Sequence, residues 1–360
     1  MSVTTSLPLW RRSGGPQRLG QMPTLVLGAT LLLASLLFAA QQGAYELQGA
    51  AVLRALAGAL GLIENSGGDG ELVFMHIRLP RLALGVAAGA GLALAGALMQ
   101  GLFRNPLADP GLIGVSSGAA LAAGVTIVLG AQHFPELPRS LGSWSLVLMA
   151  FAGGLLVTAL IYGLARGEGG VRVGMMLLAG IAINAMAGAG LGLLSFLATD
   201  EQLRNLQFWL LGSLGGARWS AVALVSALCA VALVWGLRLA PGLNAMALGE
   251  AQATLLGVPV ERLKRHVVLV TALAVGAITA TTGIIGFIGL VAPHCVRLIA
   301  GPDHRVVLPA SALLGASLVV GADALARTVL QPAELPLGVL TAWIGVPFFL
   351  VLLRTLKGRL

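Results

Sequence analysis

Charged residues are scarce in this sequence. Asp, Glu, Lys and Arg make up 10% of its 360 residues, whereas soluble globular domains carry about a quarter. Hydrophobic residues make up 57%, and the mean hydropathy is +0.92. This composition excludes a soluble globular domain and indicates a membrane protein that crosses the bilayer many times.

Lysine and cysteine are also rare. The two lysines, Lys264 and Lys357, are not preceded by the glycines of a phosphate-binding loop, which excludes ATP binding through that motif. The two cysteines, Cys229 and Cys295, lie in apolar runs without the spacing of a disulfide framework or a metal site. We therefore interpret both cysteines as small buried side chains and predict no permanently bound cofactor.

Long apolar runs are what the sequence does contain. About 20 apolar residues in a helix span the hydrocarbon core of a bilayer. The run from 266 to 301 is too long for one span, and its Thr-Thr-Gly sequence at 281–283 predicts a break. We predict an all-α domain over residues 22–356, preceded by a tail of residues 1–21. Its ten spans lie near residues 22–40, 79–102, 111–130, 144–165, 173–198, 219–238, 266–284, 285–301, 306–326 and 337–356.

The basic residues indicate orientation. With ten spans and an inner N-terminus, most of the 22 basic residues fall in inner segments, as the positive-inside rule requires. Nine spans would place the basic C-terminal segment outside. We therefore predict that both termini are cytoplasmic. The net charge of +8 is scattered between apolar runs, so we expect contact with lipid and no nucleic-acid partner.

Two features of the first half of the chain predict close helix packing and a sharp turn. Small residues recur every four positions in the second apolar run, which allows transmembrane helices to approach closely. A polar turn follows at 104–110, and the next apolar run begins at once. The small residues are Gly85, Gly89, Ala93, Ala97 and Gly101.

The longest inner connection covers residues 239–265. Its apolar residues Leu248, Ala251, Leu255 and Leu256 have helical spacing, which predicts a short surface helix that docks a partner. A helix lying in the lipid headgroup layer is the alternative.

A serine-protease reading is the alternative from another functional class. Residues 114–118 match the G-x-S-x-G nucleophile pattern around Ser116, and His294 lies in another apolar run. An intramembrane dyad would follow from the pairing of a nucleophile with a base. Because the chain has 50 glycines, a match of this length by chance is expected, and we disfavour the protease.

Polar residues near the ends of spans are the candidates for function. Arg78, Arg81 and Arg327 lie at the predicted outer face, where a basic rim would attract an acidic partner. The alternatives are snorkelling for the first two and, for Arg327, a helical salt bridge with Asp323. Asn184, within a second row of glycines, is predicted to bond a neighbouring helix or to line a path.

Seven segments of the sequence together carry a resemblance to a known family. They are IRLPR (77–81), MQGLFRNPLADPGLIGVSSGAAL (99–121), LLAGIAINA (177–185), WLLGSLG (209–215), ALGEAQATLLGVP (247–259), GIIGFIGLVAPHCVRLIAGPDHRVVLP (283–309) and AELPLGVLTAWIGVPFFL (333–350). They resemble permease subunits of ABC importers for iron-siderophores, haem and vitamin B12, and they follow the family's order from about residue 72 to 354.

The resemblance implies a homodimer of ten-helix subunits with the transport pathway on its two-fold axis. Two ATPase subunits would bind below, and a periplasmic binding protein would dock above. It implies that Arg78, Arg81 and Arg327 pair with acidic residues of that binding protein. The ATPase would be coupled through the inner connection, by Leu248, Gly249, Glu250, Ala251, Leu255, Leu256 and Gly257.

The resemblance also implies two cytoplasmic gates. Asn105 and Leu107 in the NPLA turn resemble one of them. The other would lie around Val173 and Gly174, where vitamin B12 permeases carry small hydroxyl residues and this chain does not. Further pathway candidates are Asn184, Met99 and Met176.

The wording of the NPLA segment, with TDEQLR (199–204) and WLLGSLG, is most similar to haemin permeases. We therefore expect haem to be the transported substrate, with a ferric siderophore or cobalamin as the alternative cargo. The expected location is the bacterial inner membrane, and ATP hydrolysis is expected on partner subunits. His76 at the outer mouth is the candidate for a transient haem contact, and Met75 and Met175 are weaker candidates because methionine is usually a packing residue.

Overall fold

The computed structural model describes residues 18–43, 52, 54, 57–58, 68–130 and 142–357. Most of the predicted N-terminal tail therefore lies outside the described residues. The same is true of most of residues 41–77, the predicted outer connection between the first two spans. The described chain is almost entirely helical, with one short hairpin. The helices are α1 (Gln21–Gln41), α2 (Asp69–Val73), α3 (Leu79–Phe103), α4 (Val115–Val125), α5 (Trp144–Leu164), α6 (Val173–Leu197), α7 (Asp200–Leu211), α8 (Trp219–Met246), α9 (Glu250–Leu255), α10 (Val260–Thr282), α11 (Ile288–Ala300), α12 (His304–Thr328) and α13 (Leu337–Lys357).

Shorter elements join these helices. A π-helical turn, Phe74–Arg78, connects α2 to α3, a 3₁₀ turn, Pro110–Ile113, leads into α4, and a second π-helical turn, Thr126–Gly130, ends it. Strands β1 (Arg166–Gly167) and β2 (Gly170–Val171) pair antiparallel between α5 and α6.

Helix α3 is the centre of the fold. It packs on α12, α8, α10 and α11, and nearly all its side chains are buried. The predicted row of small residues makes a close contact with α12, because a Cβ at Gly89 would overlap the backbone of Gly315. Gly96, which lies outside the row, makes a similar contact with Gly289 in α11. The row is therefore a helix-packing face, as its spacing predicts.

The all-α class is confirmed, and the structure is consistent with ten helical runs. Among the described residues, seven helices are long and apolar enough to cross a membrane, by length and composition. The other three predicted runs form shorter apolar helices, namely Val115–Gly130, Ile288–Ala300 and Leu337–Val351.

The predicted break inside the run 266–301 is present. α10 ends at Thr282, Gly283 and Phe287 have positive φ, and α11 begins at Ile288. α11 has 13 residues, so it rises about 20 Å and crosses only part of a bilayer. The prediction of a full span over 285–301 is therefore wrong in length, because the break takes up its first residues.

The bounds of the inner connection also differ from the prediction. α8 continues through Pro241 to Met246, and α10 begins at Val260, so the non-spanning segment is 247–259 rather than 239–265. Charge and proline at 238–241 mark the end of the apolar run, but the helix continues beyond it.

Helix α7 was not predicted. The sequence around 199–211 is too polar for a span, and the apolar pattern therefore predicts only a connection there. Thr199 and Gln202 form a reciprocal capping box at its start. This Thr-x-x-Gln spacing is the signal that could have revealed the helix.

The helix bundle has an outer end and an inner end. The outer end is where Gln41, Leu79 and Thr328 lie, and the inner end is where Phe103, Val173, Met246 and Val260 lie.

Candidate functional site

Arg81 is the centre of an ionic cluster at the outer end. Its guanidinium donates to both carboxylate oxygens of Asp323 at 2.9–3.1 Å and to both of Glu334 at 2.9–3.0 Å. Arg327 forms an ion pair of 3.1 Å with the same Asp323. The helical salt bridge that was the alternative reading of Arg327 is therefore present.

The other two outer arginines hold the end of α1. Arg78 donates to the Ala40 carbonyl at 2.7 Å, and Arg327 donates to the carbonyls of Gln42 at 2.8 Å and Ala39 at 3.2 Å. The last carbonyls of a helix lack intrahelical partners and carry partial negative charge. Arg78 and Arg327 therefore turn toward the protein, where they satisfy these carbonyls.

The three predicted docking arginines thus meet at one end but are not an open rim. Arg78, Arg81 and Arg327 are 5%, 9% and 7% exposed. Arg81 and Arg327 pair with the carboxylates of Asp323 and Glu334, and Arg78 donates to a helix carbonyl. The three side chains are therefore engaged internally.

His76 lies on the π-helical turn at the outer end. Its side chain is exposed, and Nδ1 is 3.2 Å from the carbonyl oxygen of Leu72. The main neighbours of this turn are α2 and α3. His76 therefore lies on a different element from Met176 and Asn184, which are on α6.

Helix α9 forms the predicted surface helix at the inner end, and we call it the coupling helix. Gly249 (φ +123°) precedes it and Gly257 (φ +80°) follows it, and this backbone region favours glycine. Leu248, Leu255 and Leu256 are 65%, 88% and 65% exposed, and Ala251 is also exposed. The predicted apolar face is therefore present and uncovered in the chain alone.

Glu250 differs from the other predicted coupling residues because it turns inward. Its carboxylate accepts a hydrogen bond of 2.7 Å from Nζ of Lys264, near the start of α10. No local sequence pattern predicts this contact, because the two residues belong to different elements.

The NPLA turn is a compact reversal at the inner end of α3. Arg104 ends the helix with φ +50°, and the Asn105 side chain accepts a hydrogen bond of 2.9 Å from the Leu107 amide. Asp109 then accepts one of 2.7 Å from the Gly111 amide. Burial raises the pKa of Asp109, and this hydrogen bond opposes the rise. Asn105 and Leu107 are therefore fixed by the turn itself.

The second predicted gate lies at the start of α6. Val173 and Gly174 form its first turn, directly after the hairpin of β1 and β2. Gly174 is exposed, and a Cβ placed there would meet no atom within 4 Å.

Asn184 makes the helix contact that was one of its two predicted roles. Its side chain donates to the Gly111 carbonyl at 3.1 Å and accepts from the Ser117 hydroxyl at 2.5 Å. It thereby joins α6 to the residues that follow the NPLA turn. The next glycines of its row, Gly188 and Gly192, have no atom within 4 Å of an added Cβ.

Two of the predicted pathway residues are buried. Met99 is 0% and Met176 1% exposed, within the main hydrophobic core. Both side chains pack in the core of the described chain, as methionine commonly does, and their place on a pathway stays a prediction. Met175, the neighbour of Met176, is exposed instead.

A further polar cluster at the inner end was not anticipated. Arg297 of α11 donates to the Gln100 side chain and lies 3.5 Å from Nε2 of His304. Oδ1 of Asn244 accepts two hydrogen bonds from His304. One comes from the His304 backbone amide at 2.9 Å and the other from Nδ1 of its ring at 2.8 Å. The cluster joins α3, α8, α11 and α12 where they end. Its members are scattered along the sequence, so no local pattern reveals it.

The protease dyad does not form in the described chain. Ser116 lies in a helix after a 3₁₀ turn rather than in a strand-to-helix elbow. His294 packs edge-on against Phe348 with ring centroids 6.1 Å apart, and no hydrogen bond joins it to Ser116 among the described residues.

The described chain is a helical membrane protein with an exposed surface helix at one end and an ionic cluster at the other. A family model identifies it more closely. The chain belongs to the FecCD transport family, whose model matches residues 31–355. It is therefore a permease subunit of an ABC importer and not an enzyme.

The relatives of this chain are named for two kinds of cargo, hemin and vitamin B12. The chain is 46% identical over 288 residues to the hemin transport system permease protein HmuU of Yersinia pestis, covering 80% of this chain and 85% of that one. It is 42% identical over 290 residues to the vitamin B12 import system permease protein BtuC of Klebsiella pneumoniae, covering 81% and 85%.

A solved structure is also similar. It is described as an inward-facing conformation of a putative metal-chelate type ABC transporter. The TM-score is 0.80 at 29% sequence identity, and the match covers 93% of this chain and 99% of that one.

Proposed function

We propose that this permease imports haem across the bacterial inner membrane. The observation that carries the proposal is the 46% identity to a hemin permease, against 42% to vitamin B12 permeases of similar coverage. The permease provides the path, and ATP is hydrolysed on partner subunits.

The pathway is proposed to lie on the axis of a homodimer, beside α6. This helix presents exposed apolar side chains, among them Leu178, Ile181 and Phe196. Its open glycines, Gly188 and Gly192, leave room beside it. A second copy would cover the apolar residues, and the small residues would leave space for a bulky cargo.

The outer end is proposed to dock a periplasmic binding protein. The basic side chains gathered at this end favour an acidic partner and accelerate its approach. Arg78 and Arg327 contribute charge while holding α1, and Glu334, whose side chain is 47% exposed, is the group nearest to an incoming protein.

The inner end is proposed to receive the ATPase subunits. Leu248, Leu255 and Leu256 provide an apolar patch of the kind that a groove on a partner covers. ATP binding would shift the population between inward- and outward-facing states, because the ATPase binds the two states with different affinity. The gates at Asn105 and Leu107 and at Val173 and Gly174 would open and close with this shift.

Contacts with haem along the path are proposed for two side chains. His76 is exposed at the outer end, and Met175 is exposed on α6. An imidazole and a thioether are both ligands that haem iron accepts.

Cobalamin or a ferric siderophore is the second candidate cargo. The vitamin B12 permeases differ from the hemin relative by only four percentage points of identity, and the similar structure is described as a metal-chelate type transporter. The same machine would serve either cargo.

Uptake into proteoliposomes tests the proposal. The permease is reconstituted with its ATPase and binding protein, and haemin, a ferric siderophore and cobalamin are offered with and without ATP. We expect accumulation of haemin that depends on ATP. Accumulation of another cargo alone would refute haem but keep the importer, and a failure to accumulate any cargo would contradict the proposal as a whole.

A further inference from the structure

Lys264 is a buried cation whose three donors are all used. It is 3% exposed. Its Nζ donates to the Glu250 carboxylate at 2.7 Å, to the Glu261 carboxylate at 3.0 Å and to the Val171 carbonyl at 2.7 Å. An ammonium group has three N–H donors and no acceptor, so the hydrogen-bonding capacity of this side chain is filled.

A second bond fastens the hairpin to the same group. The Val171 amide donates to the other carboxylate oxygen of Glu261 at 2.8 Å. Gly170 has φ +103°, and a Cβ there would lie 2.6 Å from that carboxylate. The hairpin backbone is therefore held on both sides, through its carbonyl by Lys264 and through its amide by Glu261.

The three partners belong to three elements. Glu250 is the first residue of the coupling helix, Glu261 lies in the first turn of α10, and Val171 ends β2, two residues before α6 begins. The coupling helix buries a single side chain, that of Ala253. Within the described chain its ion pair with Lys264 is the only one it makes. Lys264 is thus its principal polar attachment to the rest of the protein.

Such an attachment transmits displacement. Hydrogen bonds that involve an ionised group are short and strong, and a buried charge that loses a partner is costly. If the coupling helix moved away alone, the ammonium would lose a carboxylate. Moving the helix, Lys264 and the hairpin together keeps all of these bonds.

We propose that Lys264 is a positioning residue that joins the coupling helix to the gate at the start of α6. Movement of Glu250 with an attached ATPase carries Val171, and with it Val173 and Gly174. This inference rests on the proposed function for its role in transport. The attachment itself is a property of the permease alone.

The first test measures the attachment without any cargo. Spin labels are placed at two exposed positions, Ala251→Cys on the coupling helix and Glu168→Cys in the hairpin, in a chain with Cys229→Ala and Cys295→Ala. Labelled permease is diluted with unlabelled permease and studied in lipid nanodiscs by pulsed electron resonance. Lys264→Met is expected to broaden the distance distribution, and Lys264→Arg is expected to restore most of its sharpness.

Arg262→Met is the matched control. It removes the same charge from an exposed neighbour in the same helix and is expected to leave the distribution unchanged. Glu250→Gln removes the carboxylate that pairs with Lys264 on the coupling helix, and it is expected to broaden the distribution as well. A distribution in Lys264→Met as narrow as in the parent would overturn the inference.

The second test measures coupling in the complete transporter. In proteoliposomes, Lys264→Met is expected to lower cargo transported per ATP hydrolysed by at least about fivefold, the lower range of coupling between sites. ATP hydrolysis is normalised to the amount of ATPase bound to each variant, because Lys264 also holds the helix that the ATPase is proposed to contact. Transport per ATP equal to the control would also overturn the inference. If the parent itself moves no cargo, the proposed function fails and the distance measurement alone decides the attachment.

Discussion

Arg81, Asp323 and Arg327 form a run of alternating charges at the outer end of the molecule. Both oxygens of Asp323 are used, since Arg81 contacts each of them and Arg327 pairs with one. Charges inside a membrane protein persist when they are paired in this way. The Asp323 carboxylate therefore pairs with two cations. Its loss affects α3 and α12 and, through Arg327, the end of α1.

Asp323→Asn is expected to destabilise the permease. Removing one partner of a buried pair costs about 3–5 kcal/mol, because Arg81 would then pair with Glu334 alone and Arg327 would lose the carboxylate of its ion pair. A thermal unfolding series in detergent should show a clear drop in the midpoint. Asp200→Asn, at an exposed helix start, is the control, and equal midpoints for the two variants would contradict this account.

Glu334→Gln is expected to strengthen docking of the binding protein. The change removes the exposed carboxylate that partly neutralises Arg81, so the net charge at this end becomes one unit more positive. An exposed charge contributes up to about 1 kcal/mol, or roughly fivefold in affinity. Binding measured at low and high salt should show the gain at low salt only. Weaker binding at low salt would argue against an acidic partner at this end.

Glu201→Gln is the matched control for that measurement. It removes an exposed carboxylate at the start of α7, away from the arginine cluster. It should alter docking less than Glu334→Gln does.

At the scale of elements, the coupling helix combines a rigid frame with an uncovered face. Two glycines with positive φ, Gly249 and Gly257, set its limits, and Lys264 holds its first residue. Its leucines are therefore presented in a fixed position. A preorganised surface loses less entropy when a partner binds it.

Leu255→Glu is expected to detach the ATPase. Burying a leucine side chain contributes about 1.5–3 kcal/mol, so its loss should weaken co-purification roughly tenfold or more. Leu330→Glu is the control, because Leu330 is also exposed but lies at the outer end. Equal recovery of ATPase with both variants would count against the coupling helix as the docking element.

Which elements could be predicted from the sequence depends on the membrane. Spans are readable because a bilayer demands long apolar helices with satisfied backbones. The bilayer places no such demand on α7, and the apolar pattern does not predict it. The predicted length of α11 is too great because its apolar run continues through the break at Gly283. Exposure of Leu248 and Leu255 was predictable, since an apolar face on an isolated inner helix has no neighbours along the chain.

The ionic contacts could not be predicted, for a different reason. Arg81 and Asp323 are 242 positions apart, and Lys264 meets Val171 across 93. Apolar patterning places each residue at the correct end of the bundle but does not name its partner. For this reason the outer arginines were expected to be open, whereas the structure turns them inward.

At the scale of the whole molecule, the proposed dimer makes a prediction about the start of α6. If the gates of two copies meet at the axis, Gly174→Cys in a chain without other cysteines should form a disulfide-linked dimer under mild oxidation. The readout is the band of doubled mass on a non-reducing gel. We expect ATP-driven opening to lower the yield of this dimer.

Gly163→Cys is the control for that experiment. Gly163 is exposed on α5, and an added Cβ there also meets no atom within 4 Å. Both cysteines are thus equally accessible, and only their position in the dimer differs. Equal cross-linking of the two would show random collision and would refute the placement of the axis beside Gly174.

The break after α10 has a consequence for how the chain is made. Distant segments pack around it. The Ser213 amide donates to the Thr282 carbonyl at 2.7 Å, and a Cβ at Gly338, near the start of α13, would lie 2.8 Å from the Ile284 carbonyl oxygen. Residues of α13 therefore help to enclose a non-helical segment that the ribosome releases before them. We expect this segment to reach its final packing only after α13 has been synthesised.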